Sequence, residues 1–476
     1  MTQQKGADPA GFAARLVRDG QRRRAVPDLA RVRSIVRSVR EGGDAALYRY
    51  EKRFGGLLDG GVPLRLSESE IRSAYRMVSK PQHVAIREAA ARLAALERRT
   101  MRTLKGKVET VHGRPPASAT VSRRFVPIDS VGCYIPGGLA RYPSSAVMSI
   151  VPAAVAGVPR IVAVSPVSSR PPPPASASAS ASASASSTPS HGGAPAAGSM
   201  IDPLTVVAAD MCGATEIYRT GGAQAVAALA YGTESIPRVD KIVGPGGAYV
   251  TAAKSLVSPD VGIDMLAGPT ELGILADADA PPRLVALDLV SQAEHSEDTQ
   301  CYLITDSAAL ARHVNDILDK LVPGLERGPL ISKSLSRNGF IAVVRSMEDG
   351  AAVAHALAPE HLEIMMSKGA ARAESSVTSP GLVLVGRNSP SAASDYLLGS
   401  NHVLPTNRTG AVRGSLSVLD YLKVHTTVRS TKGALHGIDG MMRELAHAEG
   451  LVNHYEAVRG RLKRKGTGAR HQRRHT

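Results

Sequence analysis

Apolar residues recur at helical spacing through residues 28–53 and 68–103, as in VRSIVRSVREGGDAALYRYEKRF and IRSAYRMVSKPQHVAIREAAARLAALERR, and predict helical layers or packing elements. From Ser145 the pattern changes. SAVMSIVPAAVAGVPRIVAVSP reads as an apolar helix, a glycine turn and a β-branched strand, and IDPLTVVAADMCGATEIYRTGG repeats that order. Between them, residues 167–199 are low-complexity, with consecutive prolines followed by an Ala-Ser alternation. Nothing there can bury a core, which predicts a flexible, partly extended surface loop. Both flanks have the strand and helix lengths of a βαβ sheet, so the insert interrupts one domain instead of separating two. From residue 239, VDKIVGP, ELGILADADA, PPRLVALDLVSQAEH and TQCYLIT give strand, turn, Pro-initiated helix and strand, another βαβ unit. Leu284, Leu287 and Leu289 form the apolar stripe of that helix. Two α/β domains are the coarse result.

Composition narrows the class. The 476 residues are 43% hydrophobic and 21% charged, with no Trp and 4 Phe, which fits a globular chain of two or three domains and excludes a disordered one. The net charge of +16 suggests a nucleic-acid partner until it is located. Residues 1–24 carry a net +4 and residues 459–476 a net +8, leaving +4 for everything between, ordinary for an enzyme. The tail has no apolar periodicity and reads as solvated and disordered, which argues against nucleic acid as a partner. Cys133, Cys212 and Cys301 are far apart and form no CxxC pair, so a disulfide framework or a Cys-rich zinc site is excluded and a reducing compartment is the simpler assumption. No signal-peptide core opens the chain, and the most apolar long segment, Ala146–Val167, is broken by Pro152, Gly157, Pro159 and Arg160. The expectation is a soluble, cytoplasmic protein with no membrane partner.

Candidate chemistry concentrates after residue 290. Gln292 and His295 are three apart near a helix end and share a face. In ALAPEHLEI, Glu360 and His361 follow Pro359, where a turn or first helical residue lets both project into one cleft; a carboxylate beside an imidazole suits acid-base work at neutral pH. The same segment also reads as a plain helix N-terminus with acid in its first turn. SPSAASDYLLGSNHVLPT supplies Asp395, Asn401 and His402, and AHAEGLVNHYEAV supplies His447, Glu449 and His454. No GxGxxG stands between a strand and a helix, and no GxxxxGK[ST] is present. Gly-rich turns occur instead at YIPGG (134–138), TGGAQAVAALAYG (220–232) and IVGPGGAYV (242–250), where backbone amides could approach a phosphate or simply connect strand to helix.

Taken in order, VGCYIPGG, TGGAQAVAALAYGTESIPRVDKIVGPGGAYV, IDMLAGPTEL, SQAEH, APEHLE, DYLLGSNHVLPT and AEGLVNH resemble the sequential motifs of the histidinol dehydrogenases, over residues 30–460 apart from the insert. The resemblance implies a four-electron, NAD-dependent oxidation of L-histidinol through L-histidinal to L-histidine, in a homodimer with shared active sites. It implies one Zn2+ per subunit held by Gln292, His295 and Asp395, with His454 reaching in from the other subunit, a mixed N/O set that zinc accepts. These four and His361 line the substrate, with Thr270, His402 and the other subunit's Glu449 as further contacts. Tyr134, Gln224 and position 247 fall at NAD. Glu360 and His361 are the implied catalytic pair. The implied fold is α/β, with two Rossmann-like sheet domains, incomplete because no GxGxxG is present, and helical N- and C-terminal extensions. The expected organisation is a basic extension or helix over 1–27, a discontinuous α/β domain over 28–133 and 274–416 carrying the zinc and catalytic residues, and an NAD-binding α/β domain over 134–273 with the insert 167–199. A dimer-contact region over 417–458 and a disordered basic tail over 459–476 complete it.

The chain departs from the family pattern in three places, one of them ALERRT, which lacks the aromatic-His pattern expected there. Gly247 stands where the family reads GPGN, so a side-chain amide for NAD is missing, and Ser394 replaces the usual Gly before Asp395-Tyr396. Two alternatives remain: a paralogue using the same machinery on another small alcohol such as sulfopropanediol, and a binding protein that has lost catalysis. The joint presence of His402 and Glu449 favours histidinol over the first. The intact Gln292, His295, Glu360, His361, Asp395 and His454 argue against the second.

Overall fold

The computed structural model describes residues 1–5, 11, 14, 28–55, 62–137, 141–167 and 200–462. Most of the expected N-terminal extension, the low-complexity stretch 168–199 and the basic tail from 463 lie outside the described residues. The chain divides into two units, Met1–Met101 with Pro127–Tyr421, and Arg102–Val126 with Leu422–Thr476.

In the first unit, strand β1 (Thr2–Lys5) precedes helices α1 (Leu29–Tyr50), α2 (Glu68–Met77) and α3 (Lys80–Leu104). Asp28 caps α1 by accepting from the Arg31 amide, and Ser67 with Glu70 closes a capping box on α2. The glycine pair in α1 kinks the helix at Gly43 (φ 49°, ψ −138°) without ending it. Strands β2 (Val108–Arg114) and β3 (Ala117–Pro127) follow and belong largely to the second unit.

A five-stranded sheet comes next, built from β4 (Ser130–Tyr134), α4 (Pro143–Ala156), β5 (Arg160–Ser165), α5 (Pro203–Cys212), β6 (Glu216–Arg219), α6 (Gly222–Tyr231), β7 (Lys241–Val243), α7 (Ala248–Val257) and β8 (Gly262–Ile263). Its strands are parallel, in the spatial order β6-β5-β4-β7-β8. The order reverses between β4 and β7, where a doubly wound sheet opens a crevice beyond the carboxyl ends of its strands. Gly157 and Gly213 end α4 and α5 in the left-handed conformation, so the glycine turns read from the sequence are helix caps. Strand β5 pairs with β6, so the two strands that flank residues 168–199 in the sequence are neighbours in one sheet.

The plan is then repeated. β9 (Glu271–Ala276), α8 (Pro282–Ala293), β10 (Gln300–Thr305), α9 (Ala308–Leu321), α10 (Gly328–Asn338), β11 (Phe340–Val343), α11 (Met347–Leu357), β12 (His361–Met365), α12 (Ala370–Ser376) and β13 (Leu382–Val385) form a parallel sheet in the order β1-β11-β10-β9-β12-β13. Without β1 this is the same order, reversing between β9 and β12. Ile274, Leu289, Leu303, Val314 and Ile341 are buried in one core layer and Leu275, Ile304, Leu362 and Ile364 in another; each such side chain contributes about 1.5–3 kcal/mol. At the carboxyl ends of β9 and β12 the crevice is bridged by the protein itself. The Ser367 amide donates to Asp277 Oδ2 at 2.6 Å, and its hydroxyl lies 2.9 Å from that oxygen and 2.7 Å from Asp279 Oδ2. The short helix α13 (Ser391–Ser394) follows β13.

The second unit contains β14 (Leu422–Ser430), α14 (Lys432–Ala448) and α15 (Val452–Leu462). Its strands form a sheet in the order β14-β3-β2, with β2 and β3 antiparallel. The expected helical C-terminal extension therefore carries a small sheet as well, and α15 continues past Arg459, where the disordered tail was expected to begin. Among the described residues no helix is long and apolar enough to cross a membrane.

Candidate active site

The expectation of a turn or helix start at Pro359-Glu360-His361 gives way to a strand. Helix α11 ends at Leu357, Ala358 caps it with φ 45°, and His361 opens β12, paired with Leu272 on one side and Leu382 on the other. Glu360 sits one residue before the strand. Its Oε2 accepts a 3.0 Å hydrogen bond from the Glu271 amide and another from the Thr270 hydroxyl, which itself accepts from Gln292 Nε2 at 2.6 Å. Three expected residues, Thr270, Gln292 and Glu360, are thus joined in one chain of hydrogen bonds.

His361 lies between two carboxylates. Its Nδ1 is 3.8 Å from Glu360 Oε2 and its Nε2 is 3.4 Å from Asp395 Oδ1. Both ring nitrogens and Asp395 Oδ1 are buried without a hydrogen-bond partner. Unpaired buried polar atoms are costly and mark places where a ligand belongs. Burial works to lower the His361 pKa, but the charges of Glu360 and Asp395 outweigh it and push it up to about 9. Burial raises Glu360, against the pull of His361 and of the Thr270 and Glu271 bonds. Burial also works to raise Asp395, yet His361, His402 and His295 hold it below the ordinary value. His402 has its Nδ1 2.7 Å from the Asp395 carbonyl, and burial lowers its pKa.

Helix α8 supplies the other members. Of its expected apolar stripe Leu289 is buried, whereas Leu287 is exposed; Val285, Ala286 and Val290 complete the buried face, which Gln292 shares. The helix ends at Ala293, so His295 is not on its last turn: it follows the cap residue Glu294 and its amide bonds the Gln292 carbonyl at 3.2 Å. His295 stands exposed within electrostatic reach of Asp395. Among the described residues no three His, Cys, Asp or Glu side chains already close on one point. A cation nevertheless suits the donors present. Asp395 Oδ1 is unpartnered, and Gln292 has its amide nitrogen committed to Thr270, which leaves the carbonyl oxygen as its donor. With an imidazole beside them, these oxygens make a set that zinc accepts. Glu449 caps the C-terminus of α14 and His454 lies in α15; both are exposed and belong to the second unit.

The expected NAD residues all lie at the carboxyl edge of the first sheet. Tyr134 ends β4, Gln224 is in the first turn of α6, and Gly247 is the N-cap of α7 without a side-chain cap. Gly244, with φ 109°, must be glycine, since a Cβ there would press onto the Tyr134 carbonyl. Buried Lys254 and Asp264 pin that turn: Lys254 Nζ donates to the Gly244 carbonyl at 2.9 Å and to Asp264, and the Gly244 amide donates to Asp264 Oδ2 at 2.7 Å. Tyr134 accepts from the Gly222 amide at 3.0 Å. Gln224 donates at 2.9 Å to Glu51, which also accepts from the Thr220 hydroxyl at 2.6 Å and the Gly221 amide at 3.1 Å.

Several buried acids escaped the sequence reading, and two of them bear on these sites. Glu51 holds the start of α6, and Glu271 accepts from the amides of Glu360 (3.2 Å) and Asn407 (3.1 Å). The available signal for Glu271 was an acid opening the otherwise apolar run ELGILA, all of it buried.

Comparison with known proteins identifies the family. The family model for histidinol dehydrogenase matches residues 19–201 and 195–462. The histidinol dehydrogenase of Ruegeria pomeroyi is 39% identical over 446 residues, covering 94% of this chain and 95% of that protein. That of Methanothermobacter thermautotrophicus is 40% identical over 435 residues, covering 91% and 93%. The crystal structure of histidinol dehydrogenase from Elizabethkingia anophelis matches with a TM-score of 0.82 at 30% identity, over 97% of this chain and 98% of that one. The chain belongs to the histidinol dehydrogenase family.

Proposed function

We propose that the protein catalyses the NAD-dependent, four-electron oxidation of L-histidinol through L-histidinal to L-histidine, the last step of histidine biosynthesis. The observation that carries this reading is the buried His361 imidazole, its two nitrogens unpartnered between Glu360 and Asp395.

His361 takes the hydroxyl proton as hydride leaves the substrate carbon for NAD. A base must start neutral, and the lift on its pKa comes partly from Asp395. Once Asp395 is committed to a cation, part of that lift disappears and His361 returns toward the neutral form. The aldehyde must then add water before a second hydride can leave. Glu360, beside His361 and raised by burial, draws the proton from that water, and His361 acts again. Two NAD are reduced per substrate and the product is a carboxylate.

Gln292, His295 and Asp395, with His454 of the partner subunit, would hold one zinc ion per subunit, which supplies coordination that orients the substrate's imidazole and amine. Thr270, His402 and the partner subunit's Glu449 contact the substrate. Tyr134, Gln224 and the turn at Gly247 meet NAD, at the switch point where doubly wound sheets bind dinucleotides. The homodimer this requires is supported by the second unit, where α14 exposes Ile438, Met441 and Leu445 along one stripe.

A steady-state assay tests the reading. Histidinol should yield two NADH per molecule, with turnover lost on chelation and restored by zinc; no turnover with histidinol, but turnover with another small alcohol, would replace the substrate.

A further inference from the structure

Three elements deliver the cluster: α8 carries Gln292 toward His295, β12 begins at His361, and α13 is capped by Asp395. None of these residues bonds directly across all three elements. A pair of acids outside the cluster does. Asp288 lies one helical turn before Gln292 on α8, and Glu363 lies two residues after His361, on the same face of β12. The two carboxyl groups interact with each other, and Glu363 Oε2 is buried with no other hydrogen-bond partner. Glu363 Oε1 also accepts a 2.7 Å hydrogen bond from the amide of Ser391, the first residue of α13, and the Ser391 carbonyl in turn accepts from the Asp395 amide at 2.9 Å.

A carboxyl-carboxylate pair can hold such a junction only with one proton between its members, because two adjacent buried anions repel. Burial raises both groups above the ordinary carboxylate range, and the charge of Asp288 raises Glu363 further. Glu363 is fully buried, and nothing in the catalytic reading uses it.

Resting on that reading, we infer that Glu363 and Asp288 are positioning residues, a hydrogen-bonded acid pair that fixes α8, β12 and α13 to one another and so sets the spacing of Gln292, His295, His361 and Asp395 for zinc and substrate. Outer groups of this kind govern how well the ligands are presented, and their loss costs roughly 10- to 100-fold in metal affinity.

The test compares Glu363→Ala, Glu363→Gln and Ser391→Pro in the full-length protein. Zinc affinity is measured by competition with a chromogenic chelator, histidinol KM and kcat separately, and folding by circular dichroism and Tm. Glu363→Ala should weaken zinc binding roughly 10- to 100-fold and raise the histidinol KM, leaving the KM for NAD unchanged. Glu363→Gln keeps an acceptor for Ser391 and offers Asp288 a donor, so it should return zinc affinity to within about twofold of the parent. Should Glu363→Ala not fold, Ser391→Pro carries the test. It removes the amide donor, together with the buried serine hydroxyl, at a first helical position where proline is tolerated, and should shift zinc affinity in the same direction. A folded Glu363→Ala or Ser391→Pro protein with parental zinc affinity and histidinol KM overturns the inference, as does a Glu363→Gln protein as impaired as Glu363→Ala. A parent protein that neither binds zinc nor oxidises histidinol overturns the underlying reading instead.

Discussion

His361 Nε2 and Asp395 Oδ1 face each other at 3.4 Å, both buried and neither hydrogen-bonded. One carboxylate oxygen is therefore left for a cation while its charge still acts on the imidazole. Asp395→Asn keeps the shape and removes the charge. It should lose zinc and histidinol turnover together while retaining Tm; a variant that binds zinc as the parent does would remove Asp395 from the metal site.

Glu360 and His361 divide the two oxidations between them. Glu360→Gln cannot accept the proton from the attacking water, and should slow oxidation of added L-histidinal by about 10²–10⁴-fold while sparing the alcohol step relative to it. Single-turnover NADH formation from histidinol and from histidinal separates the steps, and equal loss in both would defeat the assignment.

Gly247 offers the opposite experiment, a gain. A Cβ there meets nothing within 4 Å, and the residue has an extended backbone at the helix N-cap, where asparagine is welcome. Gly247→Asn restores the amide the chain lacks. One added hydrogen bond of about 0.5–1.5 kcal/mol should tighten NAD binding about two- to tenfold, read by fluorescence titration with NADH. Unchanged affinity would place NAD away from this turn.

Lys254 and Asp264 are both buried, and the ammonium also holds the Gly244 carbonyl. Lys254→Met strands the carboxylate and loosens the turn, so urea unfolding should show a loss of about 3–5 kcal/mol. A loss below about 1 kcal/mol would mean that water readily replaces the lysine.

Much of the first unit could be read from the chain because its layers are buried on both sides. The runs around Gly157 and Gly213 are largely apolar and turn at glycine, and both helices and both following strands appear where that pattern puts them. The start of β12 misled because Pro359 commonly opens a helix; the deciding contacts are the pairings of His361 with Leu272 and Leu382, remote in sequence. The sheet of the second unit left little trace, since β2 is exposed along its whole length and β14 nearly so, and a strand without a buried face has no alternation to show. Glu51 and Glu271 look like surface acids until their partners are known. The ordered motifs that carry the proposed ligand residues, by contrast, were legible even where their local structure was not.

Strand β12 joins two edges with different obligations. At its beginning stand Glu360 and His361, where a substitution changes chemistry. Just past its end, Ser367 ties Asp277 and Asp279 across the crevice that doubly wound sheets ordinarily offer to a ligand. There the carboxyl ends of two strands answer to each other, so a substitution at Ser367 should register first in stability, whereas one at His361, six residues earlier at the start of β12, should register first in turnover.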